Sequence, residues 1–476
     1  VAEKTDLERA FTTLKSKASA YKTLFDYYDG DQPLVYTASR LREVFQGLDA
    51  NFSENWCSVV INACLDRINL REMTLANGEK NDVLTALWQR SRLDLESDAV
   101  HEAALVTGEA FVIVWPNDET EEPDAFYNDP RHCCVFYDPS NPRRKRFAAK
   151  WWLDVDERCR MTLYYPDRIE YYAARKPGWP EKASALVTDE PTVENPYGEV
   201  PVFHFTVARR APRSDLKVVI PLQNGINKLF ADMLVAAEYA AFLQRWIISD
   251  ADLRGKIKNT PGGVWVLPPG SGEGQGVSVG QFASTDLDNF IRPITNLVET
   301  VSALTRTPRH MFYGAPAQVS GEALTALEAP LNKKVQDRID RFRPVWQEVG
   351  AFALRIANQQ VRPSEIAAAF DRPETVQPRT EAEILQLRTS GGIPLASALR
   401  MQGLPEDEIA TILREKAVEQ AAEAQRTAAS GIAGPGRQAA QAQSEAAGLP
   451  VTQRLVQKAV EQFAESARAA LRGSGA

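Results

Sequence analysis

DLDNFIRPITNLVETVSALTRTPRHMFYGAPAQVSGEALTALEAPLNKKVQDRIDRFRPVW, residues 286–346, is a helix, a loop and a longer helix. Thr285 and Asp286 are N-cap residue types, and Phe290, Ile294, Leu297, Val301 and Leu304 follow at three- and four-residue steps. The connecting stretch TRTPRHMFYGAPAQVSG holds Pro308, Gly314, Pro316 and Gly321, so it is not helical throughout. Ser320 and Gly321 open the second helix. An apolar and aromatic loop slung between two long helices is an unusual surface connection. It points to a loop that works on something passing close to it.

Outward from this stretch, residues 1 to about 110 read as mostly helical. The first helix ends near Tyr28 at the Asp29-Gly30-Asp31 turn, and Ser39 to Gln46 reads as a short helix. From Glu54 to Ile68 an apolar face recurs, and further helices are expected near 82–92 and 95–107. From Phe111 the period becomes two. FVIVW, CCVFYD, FAAKWWLD, RMTLYY, RIEYYAA and VPVFHFTV are β-branched and aromatic runs, which predict a largely antiparallel β region ending near Val207. One hairpin carries Arg143, Arg144, Lys145 and Arg146, either a partner patch or a solvated tip.

Pro221 to Ile248 reads as one helix of about 28 residues and about 42 Å. It is apolar on more than one face, so it needs cover on more than one face. Between 250 and 285 lies an irregular insertion with one strand, GGVWVLP, and a Gly-rich run. After Ala351 the chain reads as helical again. Thr380 to Glu383 fits a capping box, Gly391-Gly392 ends that helix, and 405–424 is another. Ala/Gln/Gly-rich residues then form a linker before an amphipathic C-terminal helix, within 431–476. The fold class expected is α+β, predominantly α-helical.

The chain has 476 residues and a net charge of −8, so a surface that grips nucleic acid throughout is excluded. The first twenty residues lack the apolar core of a signal peptide, and charges interrupt the most apolar segment, so no membrane span is expected. The five cysteines are sparse and odd in number, which favours buried free thiols over disulfides. Cys57 and Cys64 stand about 10 Å apart on a helix, too far to share a zinc. His101-Glu102 lacks the second histidine of a zinc helix, so His101 reads as a surface or core histidine and no metal site is expected. No phosphate-binding loop is present, and no cofactor is expected.

One catalytic pattern matches in part. Gly276-Val277-Ser278-Val279-Gly280 fits a nucleophile elbow, followed by Asp286 or Asp288 and His310. The elbow needs a strand before it and a helix after it in a parallel sheet. Here Ser278 falls in a Gly-rich run, so the match reads as coincidence and no catalytic residue is expected.

In order and spacing, YYDGDQPL (27–34), NWCSVVINACLDRINL (55–70), TPRHMFYG (307–314), SGEAL (320–324) and TEAEILQL with GGIPLASALRMQGLPEDEI (380–409) resemble a tailed-bacteriophage portal protein, the head-to-tail connector of long-tailed phages. The resemblance implies a ring of about twelve copies at one capsid vertex. Residues 1–217 resemble the wing, 218–249 and 286–306 the stem helices, and 250–285 the clip. Residues 307–320 resemble the tunnel loop, 321–361 the long helix carrying it with breaks at Pro330 and Pro344, and 362–430 the helical crown. The implied partners are double-stranded DNA in the lumen, the terminase motor, a head-tail adaptor and the major capsid protein. The implied place is the virion, after assembly in the host bacterial cytoplasm. Twelve helices at about 10 Å spacing enclose a bore of about 28 Å, enough to pass a B-form duplex. An acidic wall lets phosphates slide, and Arg309, His310 and Gln318 are the candidate backbone contacts in the loop. The alternatives are another phage head component, minor capsid or adaptor, or a hydrolase using Ser278.

Overall fold

The computed structural model describes residues 5–32, 54–208, 211–241, 245–248, 278–281, 286–314, 321–374, 378–402, 404 and 406–430. The chain parts into two compact units, Val1–Ile384 and Leu385–Ala476. The helix expected at 39–46, the strand at 262–268, Gln318, and the linker and helix of 431–476 lie outside the described residues.

Helix α1 (Asp6–Asp29) starts with a full capping box between Thr5 and Glu8, and Gly30 ends it at φ 90°. Helix α2 (Trp56–Leu65) carries Cys57, Val60, Ile61 and Cys64 into the core. Strand β1 (Leu70–Leu75) and helix α3 (Asp82–Arg90) lead to α4 (Leu93–Thr107). The second half of α4 is buried almost all round, from Val100 through Thr107 except Glu102, so it is the central helix of the unit.

The expected β region is present and antiparallel. Strands β2 (Glu109–Pro116) and β3 (Pro123–Asn128) form one hairpin. Strands β4 (Cys133–Asp138), β5 (Asn141–Leu153), β6 (Arg158–Tyr164), β7 (Arg168–Pro177) and β8 (Leu186–Glu194) form a five-stranded meander. Strand β9 (Val202–Thr206) returns to pair with β2, giving a three-stranded sheet in the order β3-β2-β9. Ala10, Phe11 and Leu14 of α1 cover one side of the meander, with Phe11 edge-on to Trp151 at 5.8 Å. A buried cluster ties α1 to the sheets. Glu109 takes hydrogen bonds from Lys17 and from the Tyr21 hydroxyl at 2.6 Å, and it lies 2.9 Å from His204 Nε2.

In the basic hairpin, Arg143 and Arg144 are solvated but Lys145 turns inward. Its ammonium sits 4.2 Å from the Phe203 ring centroid and 3.8 Å from Glu348. Its aliphatic stem gains apolar contact while its charge faces a ring and a carboxylate.

The expected 28-residue helix is shorter. Helix α5 runs Ile220–Ala241, and Arg245–Ile248 is strand β10, paired antiparallel with β11 (Ser278–Gln281). The run RWII is β-branched and aromatic enough for either state, and pairing decides. Ser278 therefore begins a strand instead of lying in a loop. Helix α6 (Asp288–Thr305) begins two residues later than expected, because Asp286 accepts from the Asp288 backbone N–H in a turn ahead of it. Early α5 packs on α6, where Gly225 faces the Leu297 side chain, and the end of α6 lies beside the turn before α5, so the two helices run antiparallel.

Helix α7 is the single turn His310–Tyr313, and α8 runs unbroken from Gly321 to Ile356. Neither Pro330 nor Pro344 breaks α8. Both are exposed, where the missing backbone N–H leaves a carbonyl open to water. Helix α8 closes the main core: Phe342, Trp346 and Phe352 meet Phe203 and Phe205 of β9, with Phe205 and Trp346 centroids 4.9 Å apart. Each such ring contributes on the order of 1.5–3 kcal/mol by leaving water. After α8 the chain is not simply helical. Strand β12 (Ile366–Phe370) pairs antiparallel with β1, Leu70 opposite Phe370 and Leu75 opposite Ile366.

In the second unit, α9 (Pro378–Ser390, whose first half belongs to the first unit) ends at Gly391 and at Gly392 with φ 89°. Thr380 lies inside α9, so it is not the cap. Helices α10 (Leu395–Met401) and α11 (Glu406–Ser430) pack through buried Leu399 and Ile409.

Candidate functional site

The loop after α6 is built by its own polar side chains. The Thr305 hydroxyl bonds Val301 O at 2.7 Å, and the Ser302 hydroxyl bonds Thr307 O at 2.7 Å. Arg306 adopts the left-handed conformation at φ 60°, which turns the chain out of the helix. Pro308 and Arg309 then start the single turn of α7, and Gly314 leaves it at φ 80°.

Aromatic packing fixes that turn. Phe312 and Tyr313 lie 5.6 Å and 5.8 Å from Trp56 at the start of α2, and the Trp56 indole donates to Glu54 at 2.7 Å. His310 Nε2 is 3.2 Å from Glu328 on α8, and Arg67 holds the same carboxylate at 3.2 Å. His310 Nδ1 is buried with no hydrogen-bond partner. Arg309 is different: its side chain is 65% exposed, 3.0 Å from Glu299, with its guanidinium against the Tyr313 ring. Ser302, Arg306, Arg309, Tyr313, Leu327 and Pro330 line an open cleft of about 820 Å³.

Of the sequence candidates, Arg309 therefore faces solvent, His310 is turned into the protein toward Glu328, and Gln318 is outside the described residues. The supporting residues Glu328, Arg67, Glu299 and Trp56 gave no local signal. Arg67 and Glu328 are far apart in the chain, and only the packing of α8 on α2 brings them together.

The Ser278 pattern does not assemble along the expected lines. Ser278 is in the β10–β11 ladder opposite Ile248, Asp286 caps a turn, and His310 pairs with Glu328. Cys57, Cys64, Cys133, Cys134 and Cys159 are free and buried. Burial pushes the Cys57 thiol up to about 12 and the Cys64 thiol up to about 11, so neither is a thiolate at neutral pH. Among the described residues, no group of three or more His, Cys, Asp or Glu is placed to hold a metal. Among the same residues, no helix is long and apolar enough to cross a membrane.

Comparison with known proteins places the chain among phage portal proteins. A similar protein is the portal protein of Mycobacterium phage L5, 23% identical over 321 residues. That alignment covers 63% of this chain and 63% of the relative, so this chain spans under two thirds of the relative's length. The family model described as phage portal protein, SPP1 Gp6-like, matches residues 8–428, from α1 to the last turns of α11. The chain belongs to the phage portal protein family.

Proposed function

We propose that the chain forms a ring of about twelve copies at one vertex of a phage capsid, around a channel through which double-stranded DNA is packaged and later ejected. The observation that carries this reading is the antiparallel α5–α6 pair with its β10–β11 ribbon. Ile291 and Leu304 of α6 are 49% and 59% exposed, and Ile248 of the ribbon is 64% exposed. Apolar residues of α5 from Phe230 to Ala237 are only half-buried. Large apolar side chains standing along a rod need cover, and identical neighbours supply it in a closed ring.

On this reading α5 and α6 are the stem, within 218–249 and 286–306, and the insertion 250–285 is the clip. The clip meets the terminase motor during packaging and the head-tail adaptor afterwards. Residues 1–217 are the wing, which faces the major capsid protein. Residues 307–320 are the tunnel loop, 321–361 the helix that carries it, and 362–430 the crown. Arg309 is the loop cation presented to passing phosphates, and Gln318 accompanies it. His310 acts from behind, through Glu328, by fixing the turn that presents Arg309. The place of action is the virion, after assembly in the bacterial cytoplasm.

Native mass measurement and electron micrographs of the purified chain test this. Twelve copies of a 52.8 kDa chain give about 634 kDa, and annular particles with an axial hole are expected. A chain that stays at one or two copies at every concentration overturns the reading.

A further inference from the structure

A second concavity in the first unit lies between the end of α6, the turn before α5 and the middle of α8. It encloses about 560 Å³. Its floor is a fixed charge array. Asp215 lies 3.0 Å from Lys334 and 2.9 Å from Arg338, and Asp337 lies 3.2 Å from Arg338 and 3.1 Å from Arg341. Two carboxylates against three cations leave the floor positive, and the buried Arg338 Nε has no hydrogen-bond partner. The rim adds Arg213, Arg306 and Lys333, all exposed and with no ion pair among the described residues. The backbone of Arg213 is held close against Gly108, where an added Cβ would come within 2.3 Å of Arg213 N. This rim is therefore built in, not draped over the surface.

The complementary charge lies elsewhere on the same unit. The β2–β3 tip carries Asp118, Glu119, Glu121 and Glu122, all exposed. Glu122 is paired with Arg90, which leaves Asp118, Glu119 and Glu121 with no ion pair among the described residues. The tip is rigid: Asn117 Oδ1 accepts from the N–H of Glu119 and Thr120, and Glu121 sits at φ 56°. Three unpaired carboxylates match three unpaired rim cations. Glu121 shares a cleft with Arg355 and Ile356, whereas the basic groove surrounds Asp337 on the same helix. The eighteen steps from Asp337 to Arg355 span about 27 Å of helix, so the tip does not reach the groove of its own copy.

We propose that the groove receives the β2–β3 tip of a second copy, a head-to-tail contact repeated around a closed ring. The proposal rests on the ring reading above. Two different, complementary faces on each copy are what a heterologous ring contact requires. Nucleic acid fits less well. The groove, about 560 Å³, admits a few side chains but not a duplex.

The test is a charge swap in the full chain, read by native mass across a concentration series. Circular dichroism confirms that each variant folds. Arg213→Glu with Lys333→Glu, and separately Glu119→Lys with Glu121→Lys, are each expected to raise the concentration for half-assembly about tenfold or more. Combining all four is expected to restore it to within about threefold of the wild type. Folded reversal variants that assemble as the wild type does overturn the proposal, and so does a folded four-fold variant without rescue. A groove variant that keeps its ring but loses retention of a short duplex DNA also overturns it, in favour of phosphate binding. Failure of the wild type to assemble at all instead removes the ring reading.

Discussion

Glu109 keeps its charge almost out of reach of water, at 1% exposure. Burial alone raises its carboxyl, but the hydrogen bond from His204 and the Lys17 charge bring it down to about 2. A carboxyl held below its ordinary 4.5 adds stability that is fully present above that value and lost as pH falls toward 2. Glu109→Ala removes the carboxylate that Lys17, Tyr21 and His204 share, and about 3–5 kcal/mol is expected to disappear in urea unfolding at neutral pH. His101 works in a different window. Buried against Phe342 and accepting from the Trp346 indole at 3.0 Å, it is driven down by burial from 6.5 to about 3. Its unfolded form takes a proton below 6.5 while its folded form does not, so stability is lost as pH falls from 6.5 toward 3. The slope approaches about 1.4 kcal/mol per pH unit. His101→Gln is expected to flatten unfolding midpoints between pH 6 and 4 while leaving the loss below pH 4. The core role of His101 was one of two readings open from sequence. The Glu109 cluster was not legible, because its members come from α1, β2 and β9.

Elements differ in how much of their placement is written locally. Helix α8 and strands β2 to β9 announce themselves, because apolar periods of 3.6 and of 2 are properties of neighbouring residues. Strand β10 does not, since RWII continues the apolar run of α5 and becomes a strand only by pairing with β11. Strands β1 and β12 are silent for the same reason: neither LREMTL nor IAAAF specifies a partner. The loop is intermediate. Its prolines and glycines mark it, but the Glu328 that holds His310 is visible only after α8 packs against α2. Two changes test elements directly. Gly108→Ala, at φ 99° and against the Arg213 backbone, is expected to cost about 2–3 kcal/mol or more in denaturant unfolding. Pro344→Ala, exposed inside α8, is expected to raise the unfolding free energy, by at most about 3 kcal/mol, because it restores a helical hydrogen bond. A drop instead means that the fixed backbone angle of Pro344 helps seat Phe342 and Trp346 in the core.

At the scale of the whole molecule, the ring reading rests on two kinds of surface among the described residues. Ile291 and Leu304 of α6 and Ile248 of the ribbon are exposed apolar residues, and Asp118, Glu119 and Glu121 stand unpaired on one surface of the first unit while Arg213, Arg306 and Lys333 stand unpaired on another. High salt is therefore expected to weaken the charged contact while leaving the apolar one, so rings at 1 M salt should dissociate at a higher protein concentration than rings at 0.1 M. Light scattering across that range checks it, and an unchanged midpoint sinks the electrostatic part. The β1–β12 ladder bears on manufacture as well as shape. Leu70 and Met73 leave the ribosome about 300 residues before Phe370, so at 5–20 residues per second the first strand waits roughly 15–60 s for its mate. During that wait a translating chain exposes an open sheet edge, and a nonsense codon anywhere before 366 releases it permanently in that state.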